Sequence, residues 1–154
     1  QAMKNIASRD ITVISESQTI EKIRRTIANM ENQEKHMIVF IDHLGLVKGE
    51  GKNLYEKMTN IAKECRRISQ DYNCTIIGLC QLARDTKDSQ NKKPSKYQLK
   101  DSGELENSAR QILMLYEEAG KYYVDIQKNS YGSENRFEVN FDKRKQKITE
   151  VKYR

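Results

Sequence analysis

Two apolar runs in this sequence end on side chains of the kind that handle phosphate chemistry. The first is Met37-Ile38-Val39-Phe40-Ile41-Asp42, followed by His43-Leu44-Gly45; the second is Cys74-Thr75-Ile76-Ile77-Gly78-Leu79-Cys80, followed by Gln81. Continuous apolar runs of this length, bounded by polar residues, read as strands buried on both faces, as in a parallel sheet. Ligand chemistry in open parallel sheets collects at the carboxyl ends of the strands. Asp42 at such an end is placed to hold a magnesium ion through its water shell; the plain alternative is an acid that caps a strand or opens a turn. Gln81 can sense a phosphate or orient a water, and its plain alternative is a strand-end hydrogen bond.

Two further stretches invite a reading. Gly49-Glu50-Gly51-Lys52 looks like a phosphate loop but lacks the pattern: Leu46 stands where a glycine is needed, and Asn53 where Ser or Thr should follow the lysine. From Ala83 to Gln98 the chain is polar and carries Pro94, its only proline. Across Arg84–Lys100 six Lys or Arg face two Asp, and the stretch runs into Lys100-Asp101-Ser102-Gly103. A long basic loop of this kind is either a solvated face or a nucleic-acid contact.

The elements that position these groups follow from periodicity. Asp10–Ile14 reads as a first strand. Ser17 or Thr19 then caps a helix with Ile20, Ile23, Ile27 and Met30 on one face. Asn53 with Glu56 makes a capping-box-like start for a second helix, whose stripe is Leu54, Met58, Ile61, Cys65, Ile68 and Tyr72, and Asn73 closes it. Ser102 caps a short helix. Gln111–Tyr116 reads as a third apolar strand, and Lys121–Lys128 with Arg136–Phe141 forms a hairpin about Asn129–Gly132. At 154 residues and 36% apolar the chain is expected to make one α/β domain. No apolar run is long enough to cross a bilayer, and Cys65, Cys74 and Cys80 read as reduced thiols, so a cytoplasmic setting is expected. Gln1-Ala2-Met3 reads as a remnant of expression, and residues 1–9 are expected to stand outside the fold. The net charge of +6 is compatible with a polyanionic partner.

In this order and spacing the stretches resemble the carboxy-terminal RecA-like ATPase domain of DnaB-type replicative helicases, from about Asp10 to Phe141. The resemblance lies in Ile38–Leu46 as a Walker B segment and Ile76–Arg84 as a sensor strand. Leu99–Glu106 matches the DNA-binding loop and the helix after it, and Ile126-Gln127-Lys128 leads into the turn that bears a trans-acting basic finger. It implies a partial RecA-like α/β fold, a mainly parallel sheet flanked by helices with a carboxy-terminal antiparallel hairpin. It implies that Asp42 positions magnesium, that Gln81 couples the γ-phosphate to the DNA loop, and that Lys128 reaches the γ-phosphate of ATP held by a neighbouring subunit. Lys100, Asp101, Ser102 and Gly103 would face single-stranded DNA in the channel of a hexamer. The parent enzyme would unwind DNA 5′→3′ using ATP and Mg2+, with a primase or helicase loader as further partners.

The chain departs from the pattern as well. No Walker A loop occurs in these residues, the family's catalytic glutamate lies upstream of Asp10, and the Lys-x-Arg finger stands as Lys128-Asn129-Ser130. Ser108 and Arg110 occupy positions where the family usually has Asp. By itself the chain is therefore expected not to hydrolyse ATP. By resemblance again, a strand between Thr75–Cys80 and Gln111–Tyr116 is absent, so these two strands should close up directly or be bridged by another chain. The alternative function is a non-enzymatic, degenerate RecA-like module that binds DNA or a helicase partner. Another RecA-like ATPase, such as a recombination or clock protein, is a more distant third.

Overall fold

The computed structural model describes residues 10–30, 35–81 and 103–151. Thr19 starts helix α1 (Ile20–Met30), its Oγ1 accepting from the Lys22 N–H at 3.2 Å. Ile20, Ile23 and Ile27 are buried, as the stripe requires, whereas Met30 ends the helix exposed. Strand β1 (Ile38–Ile41) leads through a 3-10 turn at Leu44–Leu46 and a loop to helix α2 (Leu54–Asp71). Asn53 caps α2 by accepting from the Glu56 N–H at 2.8 Å, and the Glu56 carboxylate reaches back to the Lys52 N–H at 2.8 Å. At the other end Asn73 takes a positive φ of 46° and Cys74 N–H reaches the Ser69 carbonyl, a left-handed helix stop.

Strand β2 (Thr75–Gly78) pairs with β1 in parallel, Ile38 against Thr75 through Ile41 against Gly78. Both helices supply apolar side chains to one core, where Ile20, Ile23 and Ile27 of α1 meet Met58, Ile61 and Ile68 of α2 together with Ile41 and Leu44. Arg24 ties the helices at the surface through Asp71 and Glu64. Short helix α3 (Gly103–Ser108) contributes Leu105 to the same core.

The rest is an antiparallel meander, β3 (Gln111–Glu118), β4 (Lys121–Asn129), β5 (Asn135–Asp142) and β6 (Lys147–Glu150), hydrogen-bonded in that order. Ala119 and Gly120, both at positive φ, make the tight β3–β4 turn. The expected hairpin is β4–β5, widened by a strand on each side.

Three expectations are corrected. Asp10–Ile14 forms no strand, and Ile11 and Val13 are exposed; a β-branched run needs a neighbour, and among the described residues it has none. The strand ending at Asp42 is not buried on both faces. Val39 and Ile41 pack inward, but Ile38 is 56% and Phe40 68% exposed, because the helices cover one side only. Finally, Thr75–Cys80 and Gln111–Tyr116 do not close up directly, since among the described residues β2 pairs with β1 alone and β3 with β4 alone; bridging by another chain is the half of that expectation that stands.

Candidate functional site: strand ends and the β4 turn

Asp42 follows β1 directly, and Gln81 lies three residues beyond β2. The parallel ladder continues past the strands, Leu79 N–H to Ile41 O at 3.0 Å and Leu44 N–H to Leu79 O at 2.9 Å, so both side chains stand at one carboxyl edge. Both are exposed. Packing here is close: a Cβ on Gly78 would fall 2.7 Å from the Leu44 side chain. The turn that presents Asp42 is thereby pressed onto β2.

A lone exposed carboxylate suits magnesium held through water, with phosphate oxygens completing the shell. Among the described residues there is no cluster of three or more His, Cys, Asp or Glu that could hold a metal directly. Burial pushes the Cys65 thiol up to about 12, with lesser help from Cys80, Glu64 and Cys74, so it stays a protonated thiol at neutral pH.

The Gly49–Lys52 segment is tied to α2 at its Lys52 N–H and its Glu50 carbonyl. The Lys52 N–H is taken by Glu56 and the Glu56 N–H by Asn53, while Lys57 Nζ binds Gly45 O and Asn60 binds Glu50 O. Gly51 is there for packing: a Cβ would lie 2.4 Å from the Lys57 backbone nitrogen.

Lys128 lies near the end of β4 and is half-buried; its ammonium donates to the main-chain carbonyl of Glu106 in α3. The next turn begins at Ser130, whose N–H donates to Arg110 O at 2.9 Å. Gly103 opens α3 in open space. Lys100, Asp101 and Ser102 lie outside the described residues. The structure thus gathers Asp42 with Gln81, and Lys128 with the helix that begins at Gly103. The Lys128–Glu106 contact was not legible in the sequence, since no spacing signal links a strand lysine to a carbonyl 22 residues earlier.

The DnaB-like helicase C terminal domain family matches residues 1–151. The chain belongs to that family. A probable plasmid replicative DNA helicase of Chlamydia trachomatis is 27% identical over 156 aligned residues, which cover 99% of this chain and 35% of the relative. The replicative DNA helicase DnaB of Helicobacter pylori (strain 26695) is 34% identical over 100 residues, 63% of this chain and 20% of that protein. The chain therefore spans about a third or less of these relatives' length. Among solved structures, one ATPase domain superposes with a TM-score of 0.89 at 24% identity, covering 98% of this chain and 58% of that one. A DnaB-like replicative helicase described with its primase interactions gives 0.88 at 24% identity, over 98% and 39%. The α/β, RecA-like fold expected from sequence is shown by these superpositions. Among the described residues no helix is long and apolar enough to cross a membrane.

Proposed function

We propose that this chain supplies the Walker B, sensor and DNA-loop portion of a DnaB-type replicative helicase motor, a hexamer that unwinds DNA 5′→3′ with ATP and Mg2+. The observation that carries the reading is Asp42 and Gln81 at the carboxyl ends of adjacent parallel strands, within a family match covering nearly the whole chain. Asp42 would hold the waters of a magnesium ion bound to ATP, whose polarised phosphate is the chemistry the metal supplies. Gln81, on the neighbouring strand end, would register the γ-phosphate. Lys128 would meet the phosphate of a neighbouring subunit, and Lys100, Asp101, Ser102 and Gly103 would line a track for single-stranded DNA. A lysine is a point charge suited to phosphate, and a glycine admits close backbone approach to a sugar-phosphate chain. A primase or loader is the further partner this reading implies.

ATP hydrolysis tests it. The 154-residue chain alone is expected to release no phosphate above background, because its segment nearest to a phosphate loop, Gly49–Lys52, lacks the phosphate-loop pattern. Joined to a DnaB-type segment bearing a phosphate loop, it is expected to hydrolyse Mg·ATP, and Asp42→Ala to abolish that. Hydrolysis that survives Asp42→Ala overturns the assignment of Asp42.

A second reading, a non-enzymatic module that binds DNA or a helicase partner, is favoured by Ser130 in place of a finger arginine. Joined protein that binds oligo-dT but never turns over ATP would select it.

A further inference from the structure

The turn that leaves Asp42 is short. Leu46 N–H to His43 O at 3.0 Å and Val47 N–H to Leu44 O at 3.1 Å close it. One more residue of the same winding would bring the Lys48 N–H to Gly45 O. That N–H goes instead to Gln18 O at 2.9 Å, where the chain enters α1. The Gly45 carbonyl takes its donor from α2, the Lys57 ammonium at 3.2 Å. On the other side the Leu44 N–H binds Leu79 O at 2.9 Å and the Leu44 side chain lies against Gly78. The turn is thus held from β2 through Leu44 and from α2 through Gly45.

Lys57 is the fourth residue of α2, and a cation in the first turn of a helix opposes the helix dipole. Its stem is half-buried under the loop: a Cβ on Gly49 would come 3.7 Å from Lys57 Cγ, and one on Gly51 2.4 Å from the Lys57 nitrogen. Ordering a long side chain there costs rotamer freedom as well. The helix itself offsets neither cost; the bond to Gly45 O is what they are set against. We infer that Lys57 is a positioning residue, which fixes the turn presenting Asp42 and so sets how tightly that edge takes hydrated magnesium with its nucleotide. This rests on the reading of Asp42 as the magnesium contact. Magnesium demands near-octahedral geometry and keeps several of its waters, so a carboxylate that meets it through water must be held in place. Without Lys57 the turn keeps its bonds to β2 but can roll about that edge. Enough magnesium restores the same complex, so affinity is lost while turnover at saturation is kept. Glu56 and Asn60 still tie the loop to α2 at Lys52 and Glu50, so the fold does not depend on Lys57.

Two measurements test this. In the 154-residue chain, amide hydrogen exchange at Leu46 and Val47 reads the turn. Lys57→Met is expected to speed it by about threefold to tenfold, the range for one hydrogen bond of ordinary net strength. Its urea midpoint should stay or rise, because the helix loses an unfavourable charge. Lys57→Arg keeps a donor and should keep exchange slow. In protein joined to a segment bearing a phosphate loop, Lys57→Met is expected to raise the magnesium needed for half-maximal hydrolysis by the same factor, with turnover at saturating magnesium retained. Unchanged exchange or an unchanged magnesium requirement, while Asp42→Ala still abolishes hydrolysis, overturns the role of Lys57 alone. Turnover lost at saturating magnesium as well would make Lys57 a prop of the fold and overturn it too. Hydrolysis that survives Asp42→Ala overturns the reading of Asp42 beneath it. If Lys57→Met fails to fold, wild type and Lys57→Arg decide: slow exchange in both supports the held turn, and exchange as fast as in an unfolded peptide overturns it.

Discussion

Ser130 stands where the family resemblance expects an arginine, and Arg136 is a cation that a reader of the sequence would put forward in its place. The structure commits Arg136 elsewhere. Its guanidinium pairs with Glu118, which raises its pKa, and lies 3.6 Å from the centre of the Tyr123 ring. Freeing it would break an ion pair and a cation–π contact together. A trans arginine is worth about 10³–10⁵ in rate in related phosphoryl transfer. Protein restored to ATPase competence is therefore expected to be slow, and Ser130→Arg to raise its turnover by at least about tenfold. Equal rates in a steady-state phosphate assay would show that Lys128 or Arg136 already serves. Gly51 gives a second residue-scale prediction. Because an added Cβ would strike backbone of α2, not a flexible side chain, Gly51→Ala should destabilise the chain by about 1–3 kcal/mol in urea unfolding, as overpacking does. A neutral result would mean the loop simply swings away from the helix.

At the scale of elements, what was legible depended on what each pattern physically reports. Helix stripes and caps carry their own geometry, so Asn53, Glu56 and Asn73 fell where the structure has them. An apolar run reports only that a strand wants cover, not what covers it, and so the exposed side of β1 was invisible. β6 was missed because Lys147–Glu150 is short and exposed; the signal lay in its turn, where Asp142 Oδ1 accepts from the Arg144 and Lys145 N–H groups and Gln146 takes φ 50°. The placement of Asp42 and Gln81 beyond the ends of adjacent strands was legible because strand ends are, whereas the engagement of Lys128 is a tertiary fact. The basic stretch Arg84–Lys100, which lies outside the described residues, belongs to this scale too. If it neutralises two or three phosphates, binding to labelled oligo-dT should weaken with salt at a slope of about −1.4 to −2.1. Lys100→Ala should lower that slope by about 0.7, similarly for all sequences. An unchanged slope would move the DNA contact to another basic stretch, of which Lys143-Arg144-Lys145 is the first to test.

Across the whole molecule the two sheets share one deficiency. In the parallel pair, Ile38, Phe40 and Ile77 lie on the side away from the helices, and all are exposed. In the meander, Leu113 and Leu115 of β3 are 58% and 63% exposed, and Phe137, paired through Val124, adds to the same face. Among the described residues the outer edges of β2 and β3 are unpaired as well. A two-stranded sheet is marginal in water, and open edges beside apolar faces recruit other chains. Contiguous apolar patches beyond a few hundred Å2 are rare on stable monomers. The 154-residue chain by itself is thus expected to bind a dye that reports exposed apolar surface and to self-associate as its concentration rises. Phe40→Ser with Leu115→Ser should reduce both, at little cost to folding, because neither side chain is buried in the core. Sedimentation velocity across a hundredfold concentration range makes the comparison. A wild-type chain that stays monomeric and dark to the dye would mean that these faces are covered by residues of the chain itself, and that the openness of the two sheets is not a property of the protein in solution.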